Sequence, residues 1–167
     1  MRSMIMQLRP DSLEDLIAAI SLYRPGPMES IPRYIENRRN PSKVTYRTPL
    51  LKGILSVTNG CIVYQEQVMQ IFRTLAGYSL GRADIVRRAM AKKKKDVMAR
   101  EKDIFIHGLT DKDGTVIVDG CIRRGINEQT AEAIYSEMAN FASYAFNKSH
   151  AAAYAVVSYQ TAWLKCN

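Results

Sequence analysis

The chain lacks the features of a secreted or membrane protein. It has only three cysteines, Cys61, Cys121 and Cys166, which are widely spaced and odd in number. Neither a disulfide framework nor a zinc site is supported, and reduced cytosolic thiols fit this usage best. No apolar run approaches the roughly 18 residues that a membrane-spanning helix needs, and the N-terminal residues lack the apolar core of a signal peptide. We therefore expect a cytoplasmic protein with no membrane partner.

Acidic side chains are scarce relative to basic ones. Sixteen Asp and Glu against 24 Lys and Arg give a net charge of +8, which indicates an anionic partner such as a nucleic acid, a nucleotide or a membrane surface. Nine basic and three acidic side chains lie in residues 82–102. Such a segment is typical either of a solvated helix face or of a phosphate-binding surface. Its candidate DNA-binding residues are Arg82, Lys92, Lys93, Lys94 and Lys95.

The apolar spacing predicts one globular domain of mostly α fold. Asp11 and Ser12 can cap a helix that continues to about Leu22 and stops before the proline-rich turn at 24–27. A polar loop is expected at 40–48 and an extended segment at 61–64. Further helices are predicted over about 50–55, 65–76, 81–92, 96–107, 128–143 and 148–165. Asp-Gly pairs at 113–114 and 119–120 flank a strand candidate at 115–118, so a small β-hairpin-like excursion is expected around 113–120.

The start of the last predicted helix combines several hydrogen-bond donors. Asn147 is a favoured N-cap residue, and Lys148, Ser149 and His150 follow it in the first turn. Free N–H groups and the helix dipole already favour an anion at such a place. The turn is therefore either a phosphate-binding site or an ordinary capped helix that carries a lysine. Tyr154 lies beside it, one turn after His150.

The rest of this helix has two faces of different bulk. The small face consists of Ala151, Ala155, Ser158 and Ala162, and it could admit another backbone or a base. The bulky face consists of Val156, Tyr159 and Trp163, which we expect to belong to the hydrophobic core.

Four sequence blocks together resemble one known family. They are YRPGPM at 23–28, VYQEQVM at 63–69, AGYSLG with the following AD and RRAM at 76–90, and FNKSHAAAYAVVSYQTAWLK at 146–165. In this order they are similar to the bacterial DNA polymerase III alpha subunit, the C-family of replicative polymerases. The blocks cover most of residues 9–165, which makes the resemblance far more specific than any single short motif.

The resemblance implies that residues 1–167 form a single domain of the polymerase fingers. Residues 1–10 then connect the palm to the fingers, and residues 146–165 are the C-terminal signature helix. The implied nucleotide-binding residues are Arg87, Arg88, Asn147, Lys148, Ser149, His150 and Tyr154, without a decision on which arginine contacts the triphosphate. Tyr144 is a second candidate for packing against a sugar or base, although tyrosines at such positions more often belong to the hydrophobic core.

The implied partners are template–primer DNA, deoxynucleoside triphosphates, the palm and remaining domains, and replisome components. No cofactor is expected in this chain, whereas Mg²⁺ is expected in the full-length enzyme, where the family's palm carboxylates hold it. The only carboxylates here that suggest a metal site, Asp111 and Asp113, are better explained by a turn. The chain alone is therefore expected to be inactive.

Two further residues of the blocks have structural interpretations. Arg24 either ties its turn to the palm or is a plain exposed arginine. Glu66 opens a helix, where its charge complements the dipole, and no catalytic role is expected for it. The alternative to a polymerase segment is a stand-alone basic nucleic-acid-binding module without catalysis. A peripheral membrane helix is disfavoured because residues 82–102 lack an aromatic face opposite the lysines.

Overall fold

A computed structural model describes residues 1–24, 26–142, 144 and 146–167. Within these ranges the chain is mostly helical, with a single two-stranded sheet. The α-helices are α1 (Arg2–Leu8), α2 (Leu13–Leu22), α3 (Ile31–Arg39), α4 (Lys52–Leu55), α5 (Gln65–Ala76), α6 (Leu80–Ala91), α7 (Lys95–His107), α8 (Gly120–Arg123), α9 (Glu128–Ala142) and α10 (Lys148–Cys166). The predicted fold class is confirmed.

The helix boundaries follow local capping chemistry. The Ser12 hydroxyl accepts a hydrogen bond from the Asp15 N–H at 3.2 Å, as expected for the cap of α2. Gly77 ends α5 with a φ of 77°, a left-handed conformation that favours glycine. The predicted turn at 24–27 includes Pro25 and the predicted helix over 128–143 ends at Ser143, and these two residues lie outside the described ones.

The β excursion is an antiparallel hairpin. Strand β1 (Leu109–Thr110) pairs with β2 (Val116–Val118), with Leu109 opposite Val118. Between them the Gly114 N–H donates to the Asp111 carbonyl at 3.0 Å, so the carboxylates of this segment belong to a turn, as predicted. The strand expected at 115–118 is present, one residue shorter, as β2. The sequence did not predict β1, because two residues are too few to show an alternating pattern.

Two hydrophobic clusters form the interior. The larger lies among α4 to α9 and includes the Phe72 and Phe105 rings, whose centroids are 5.2 Å apart. The smaller joins α1, α2, α3 and α10. The extended segment 61–64 runs between them: Ile62 belongs to the larger cluster, whereas Val63 and Tyr64 belong to the smaller. The opposite placement of Ile62 and Val63 follows the alternation of side chains along extended backbone, which Tyr64 does not continue.

Helix α10 packs against α2 through its small residues. Ala151 and Ala155 are completely buried, whereas Val156, Tyr159 and Trp163 are 40%, 60% and 57% exposed. The prediction that this bulky stripe belongs to the core is therefore wrong. The ten residues of α2 span about 15 Å and the nineteen of α10 about 28 Å, so α10 extends beyond the helix that covers it. None of the helices in the described ranges is long and apolar enough to cross a membrane.

Candidate anion-binding site

The first turn of α10 forms as the sequence predicts. Asn147 Oδ1 accepts a hydrogen bond from the His150 N–H at 2.9 Å, so Asn147 is the N-cap and the helix begins at Lys148. The side chains of Asn147, Ser149 and His150 are exposed, and Lys148 is partly buried. The donors that were expected at this turn therefore face solvent or the adjoining surface.

Two carboxylates of the chain contact this turn. The Lys148 N–H donates to both Glu66 carboxylate oxygens at 3.3 Å, and Lys148 Nζ lies 3.0 Å from Glu14 Oε2. The sequence predicted only that Glu66 complements the dipole of α5, in whose first turn it lies. The hydrogen bond between Glu66 and the Lys148 N–H joins positions that are 82 residues apart. No local pattern could have revealed either contact.

Main-chain contacts fix this turn to the start of α5. The Gln65 N–H donates to the Phe146 carbonyl at 3.0 Å, and Tyr64 forms a parallel β-bridge with Phe146. The Tyr64 ring lies beneath the turn, with Lys148 Nζ 5.4 Å from its centroid. The start of α10 is thus attached to a segment that is held between the two hydrophobic clusters.

Arg87 and Arg88 share one carboxylate of α6. Arg87 Nη2 lies 2.8 Å from Asp84 Oδ1, and Arg88 Nη2 lies 2.7 Å from Asp84 Oδ2. The Arg87 side chain is 17% exposed and that of Arg88 68%. Hydrogen bonds from Arg87 and then Arg88 lower the pKa of Asp84, so its carboxylate is ionised at neutral pH. One arginine therefore faces the protein and the other faces solvent.

Arg87 and Lys148 meet at the start of α5. Arg87 Nη1 donates to Gln65 Oε1 at 2.9 Å, and the next residue, Glu66, accepts from the Lys148 N–H. The block at 76–90 thus contacts Gln65, and the block at 146–165 contacts the next residue, Glu66. Both of these residues belong to the block at 63–69. The residues expected to share one site lie on neighbouring elements.

An aromatic row extends from this place along α10. The rings of Phe146 and His150 are 5.3 Å apart and those of His150 and Tyr154 are 4.8 Å apart, between centroids. The Arg24 guanidinium lies over the Phe146 ring at 4.1 Å and also donates to the Tyr144 carbonyl. Arg24 therefore ties its turn to the segment before α10 and is not a plain exposed arginine. Tyr154 is 56% exposed, which removes the alternative that it belongs to the core.

The predicted DNA-binding residues differ in their surroundings. Residues 92–95, the lysine turn, comprise the three exposed residues between α6 and α7 and the exposed first residue of α7. Within it Lys93 has a φ of 51°, and its Nζ lies 5.7 Å from the Tyr144 ring centroid. Arg82 instead donates to the two Glu101 carboxylate oxygens at 2.9 and 3.2 Å. The lysine turn is free to meet a ligand, whereas the Arg82 charge is already paired within the domain.

The described residues do not form a metal site. They contain no group of three or more His, Cys, Asp or Glu side chains that could hold a metal ion. Asp111 belongs to the hairpin turn described above, and its Oδ1 accepts from the Lys112 N–H at 2.7 Å. Two-metal nucleotidyl transfer requires a cluster of carboxylates near the reacting phosphate, so no step of such chemistry can be assigned to these residues.

Comparison with known proteins decides the family. Residues 1–113 match the family model of the bacterial DNA polymerase III alpha subunit finger domain, which is more than half of the chain. The chain belongs to this family. Over all 167 residues it is 48% identical to the DNA polymerase III subunit alpha of Treponema pallidum and to that of Rickettsia bellii. The corresponding protein of Neisseria meningitidis serogroup A is 46% identical.

The finger-domain segment is a small part of these relatives. It spans 13% of the Treponema and Rickettsia proteins and 14% of the Neisseria protein. The match to the family model ends at residue 113, before α9 and α10. The similarity to the individual relatives covers all 167 residues and therefore includes both helices. The candidate anion-binding turn and the Arg87–Arg88 pair therefore both lie within the part of the chain that is similar to the polymerase III alpha subunits.

Proposed function

We propose that this finger-domain segment contacts the incoming deoxynucleoside triphosphate and the template–primer DNA during template-directed DNA synthesis by a complete alpha subunit. The observation that carries the proposal is the meeting of Arg87 and Lys148 at Gln65 and Glu66. The Arg87 guanidinium of α6 and the start of α10, which carries the Lys148 ammonium, lie at consecutive residues of α5, and cations beside a helix start are a combination that stabilises a polyphosphate.

The proposed roles follow from exposure and contacts. Arg88 is mostly exposed and has a planar fork suited to two phosphate oxygens, so it makes the direct contact. Arg87 is shielded and bonded to Gln65, so it holds the start of α5 in position. Lys148 with Ser149 and His150 receives the phosphates at the start of α10, where Asn147 maintains the cap, and the exposed Tyr154 packs against the sugar or base.

The lysine turn at 92–95 is the proposed contact for the DNA backbone. Its four exposed side chains supply charge without a groove-reading motif, so binding is independent of sequence and sensitive to salt. The Tyr144 ring lies beside this turn, 5.7 Å from Lys93 Nζ. Arg82 can add its charge only by leaving Glu101.

The remaining functions belong to the complete polymerase in this proposal. The palm, the other domains and replisome components are partners of the full-length protein, and Mg²⁺ is bound by carboxylates other than the ones described here. The chain supplies electrostatic stabilisation and positioning, which are the main protein contributions to phosphoryl-transfer chemistry.

Steady-state kinetics of nucleotide incorporation test the nucleotide contacts. In a full-length alpha subunit that carries this segment, Arg88→Ala and Lys148→Ala should each lower kcat/KM for nucleotide about ten- to hundredfold, the range for a lost charged hydrogen bond of about 1.5–3 kcal/mol. Arg87→Ala should lower it as well and should also reduce thermal stability, because it removes the bond between α6 and α5. Primer–template affinity should change little.

Lys102→Ala is the matched control. Lys102 also pairs with a carboxylate, at 2.7 Å from Glu132 Oε1, but on the surface between α7 and α9. Its removal should leave nucleotide kinetics unchanged. Normal kinetics in both Arg88→Ala and Lys148→Ala would end the proposal.

A further inference from the structure

Each cation of the proposed nucleotide site already faces a carboxylate of the same chain. The cations are Arg87, Arg88 and Lys148, and the carboxylates are Asp84, Glu14 and Glu66. Three positive charges are thus matched by three negative ones. A triphosphate that approaches this place meets little net attraction unless one or more of the carboxylates moves away.

The carboxylates differ in how firmly they are held. Asp84 receives two arginine forks at 2.7 and 2.8 Å, which is a strong geometry. The Glu14–Lys148 pair is 54% and 36% exposed, and an exposed ion pair contributes little to stability. The two Glu66 contacts are 3.3 Å long, longer than a typical charge-assisted hydrogen bond. Glu14 and Glu66 can therefore be displaced at low cost, whereas Asp84 cannot.

Tyr64 gives an independent indication that a ligand belongs here. Its side chain is 2% exposed, and its hydroxyl has no hydrogen-bond partner in the described part of the chain. Burial and the neighbouring Tyr34, Glu14 and Glu66 raise the pKa of Tyr64, so the hydroxyl keeps its proton and remains a donor. A buried donor without an acceptor costs free energy, and the ring that carries this hydroxyl has its centroid 5.4 Å from Lys148 Nζ.

We propose that Glu14 and Glu66 are placeholder anions, which hold Lys148 and the start of α10 in the nucleotide-free protein until a phosphate group displaces them. The phosphate then accepts from the Lys148 ammonium, the Lys148 N–H and the Tyr64 hydroxyl. Only the Asp84 charge stays, so the site gains net positive charge as the ligand arrives. The inference rests on the proposed nucleotide site at α10.

Binding of inorganic tripolyphosphate to the purified chain, without divalent metal, tests the displacement. Calorimetry gives the dissociation constant, and amide chemical shifts report the Lys148 N–H. Glu14→Gln and Glu66→Gln should each tighten binding about fivefold, which corresponds to about 1 kcal/mol, the interaction of two unit charges about 4 Å apart in water. Glutamine keeps an oxygen acceptor, so the Glu66→Gln variant retains the cap of α10.

Glu128→Gln is the control for net charge. It removes one negative charge from the first turn of α9, beside His107, and should change the dissociation constant less than twofold. Tyr64→Phe should weaken binding, because it removes a donor without changing charge. Thermal melts of all variants establish that each is folded at the temperature of the titration.

The outcomes separate this inference from the proposed function. If Lys148→Ala weakens binding but neither glutamine variant differs from Glu128→Gln, or if either binds more weakly than the unaltered chain, the placeholder inference is wrong and the nucleotide site stands. If tripolyphosphate binds without moving the Lys148 amide signal and Lys148→Ala has no effect, both are wrong. If the unaltered chain shows no binding, the Glu14→Gln/Glu66→Gln double variant decides: binding supports displacement, and no binding refutes both.

Discussion

Asp15 is the carboxylate whose loss should most affect the helix that supports α10. Arg38 donates to it through Nε at 2.8 Å and through Nη2 at 2.7 Å, the Ser12 hydroxyl donates at 2.9 Å and the Asp11 N–H at 3.2 Å. Asp15 is 6% exposed. The substitution Asp15→Asn removes the charge and keeps the size, so it isolates the electrostatic contribution of this network.

The magnitude follows from the pKa of Asp15. Burial alone would raise it, but the hydrogen bonds from Arg38, Ser12 and Asp11 and the charge of Arg38 lower it from the ordinary value of 3.8 to about 2. At about 1.36 kcal/mol for each pKa unit, the ionised form contributes roughly 2 kcal/mol to the free energy of unfolding. Since the folded-state pKa is lowered, this contribution is complete above about pH 5 and is lost as the pH falls towards 2.

Urea denaturation followed by circular dichroism measures the effect. At pH 7, Asp15→Asn should lower the free energy of unfolding by about 2 kcal/mol, and the difference from the unaltered chain should shrink between about pH 4 and pH 2. Asp11→Asn is the control: Asp11 also contacts Arg38, at 2.8 Å, but its side chain is 80% exposed, so the cost should stay below about 0.5 kcal/mol. A constant difference down to pH 2, or none at pH 7, would refute the reasoning.

Three further outcomes are expected. Gly120→Ala should destabilise the chain by about 3 kcal/mol or more in thermal melts, because its φ is 77° and a Cβ there would lie 2.3 Å from the Gly108 nitrogen. Gly114→Ala is the control: Gly114 has a φ of 82° but nothing lies within 4 Å of the added Cβ, so the substitution should cost only about 1 kcal/mol. Equal costs for the two substitutions would contradict this account. Replacing the four lysines at 92–95 with glutamine should reduce the slope of log affinity against log salt by about 2 to 4 for duplex DNA, and an unchanged slope would mean that the turn is only a solvated surface. Primer extension with Mg²⁺ should give no product with the purified chain, and template-dependent extension would contradict its interpretation as a polymerase segment without the metal-binding carboxylates.

Features determined by local sequence were predictable. The Asn147 cap, the hairpin turn and most helix bounds depend on residues a few positions apart, and the structure places them where the sequence indicated. The burial of α10 was predicted wrongly for a different reason. Periodicity identifies which residues share a helix face, but not which face meets a neighbour, and here the short α2 covers only the face with Ala151 and Ala155.

The candidate site was predictable in its cations but not in the carboxylates that contact Lys148. Arg87, Arg88 and Lys148 were found because they occur in blocks that resemble a known family. The contacts of Lys148 with Glu66 and Glu14, and of Arg87 with Gln65, join residues far apart in the chain. Nothing in the spacing of single acidic residues distinguishes such partners from ordinary surface charges, so the neutralisation of the site became visible only in three dimensions.

The attachment of α10 to α5 has a consequence for how this segment can change during evolution. Tyr64 and Gln65 contact Phe146 through backbone peptide groups. Every residue has these groups, except that proline lacks the N–H donor. Side chains around the two helix starts can therefore be exchanged while the spacing between Arg87 and Lys148 is conserved. Such a framework is compatible with the amino-acid differences found at about half of the positions in the relatives.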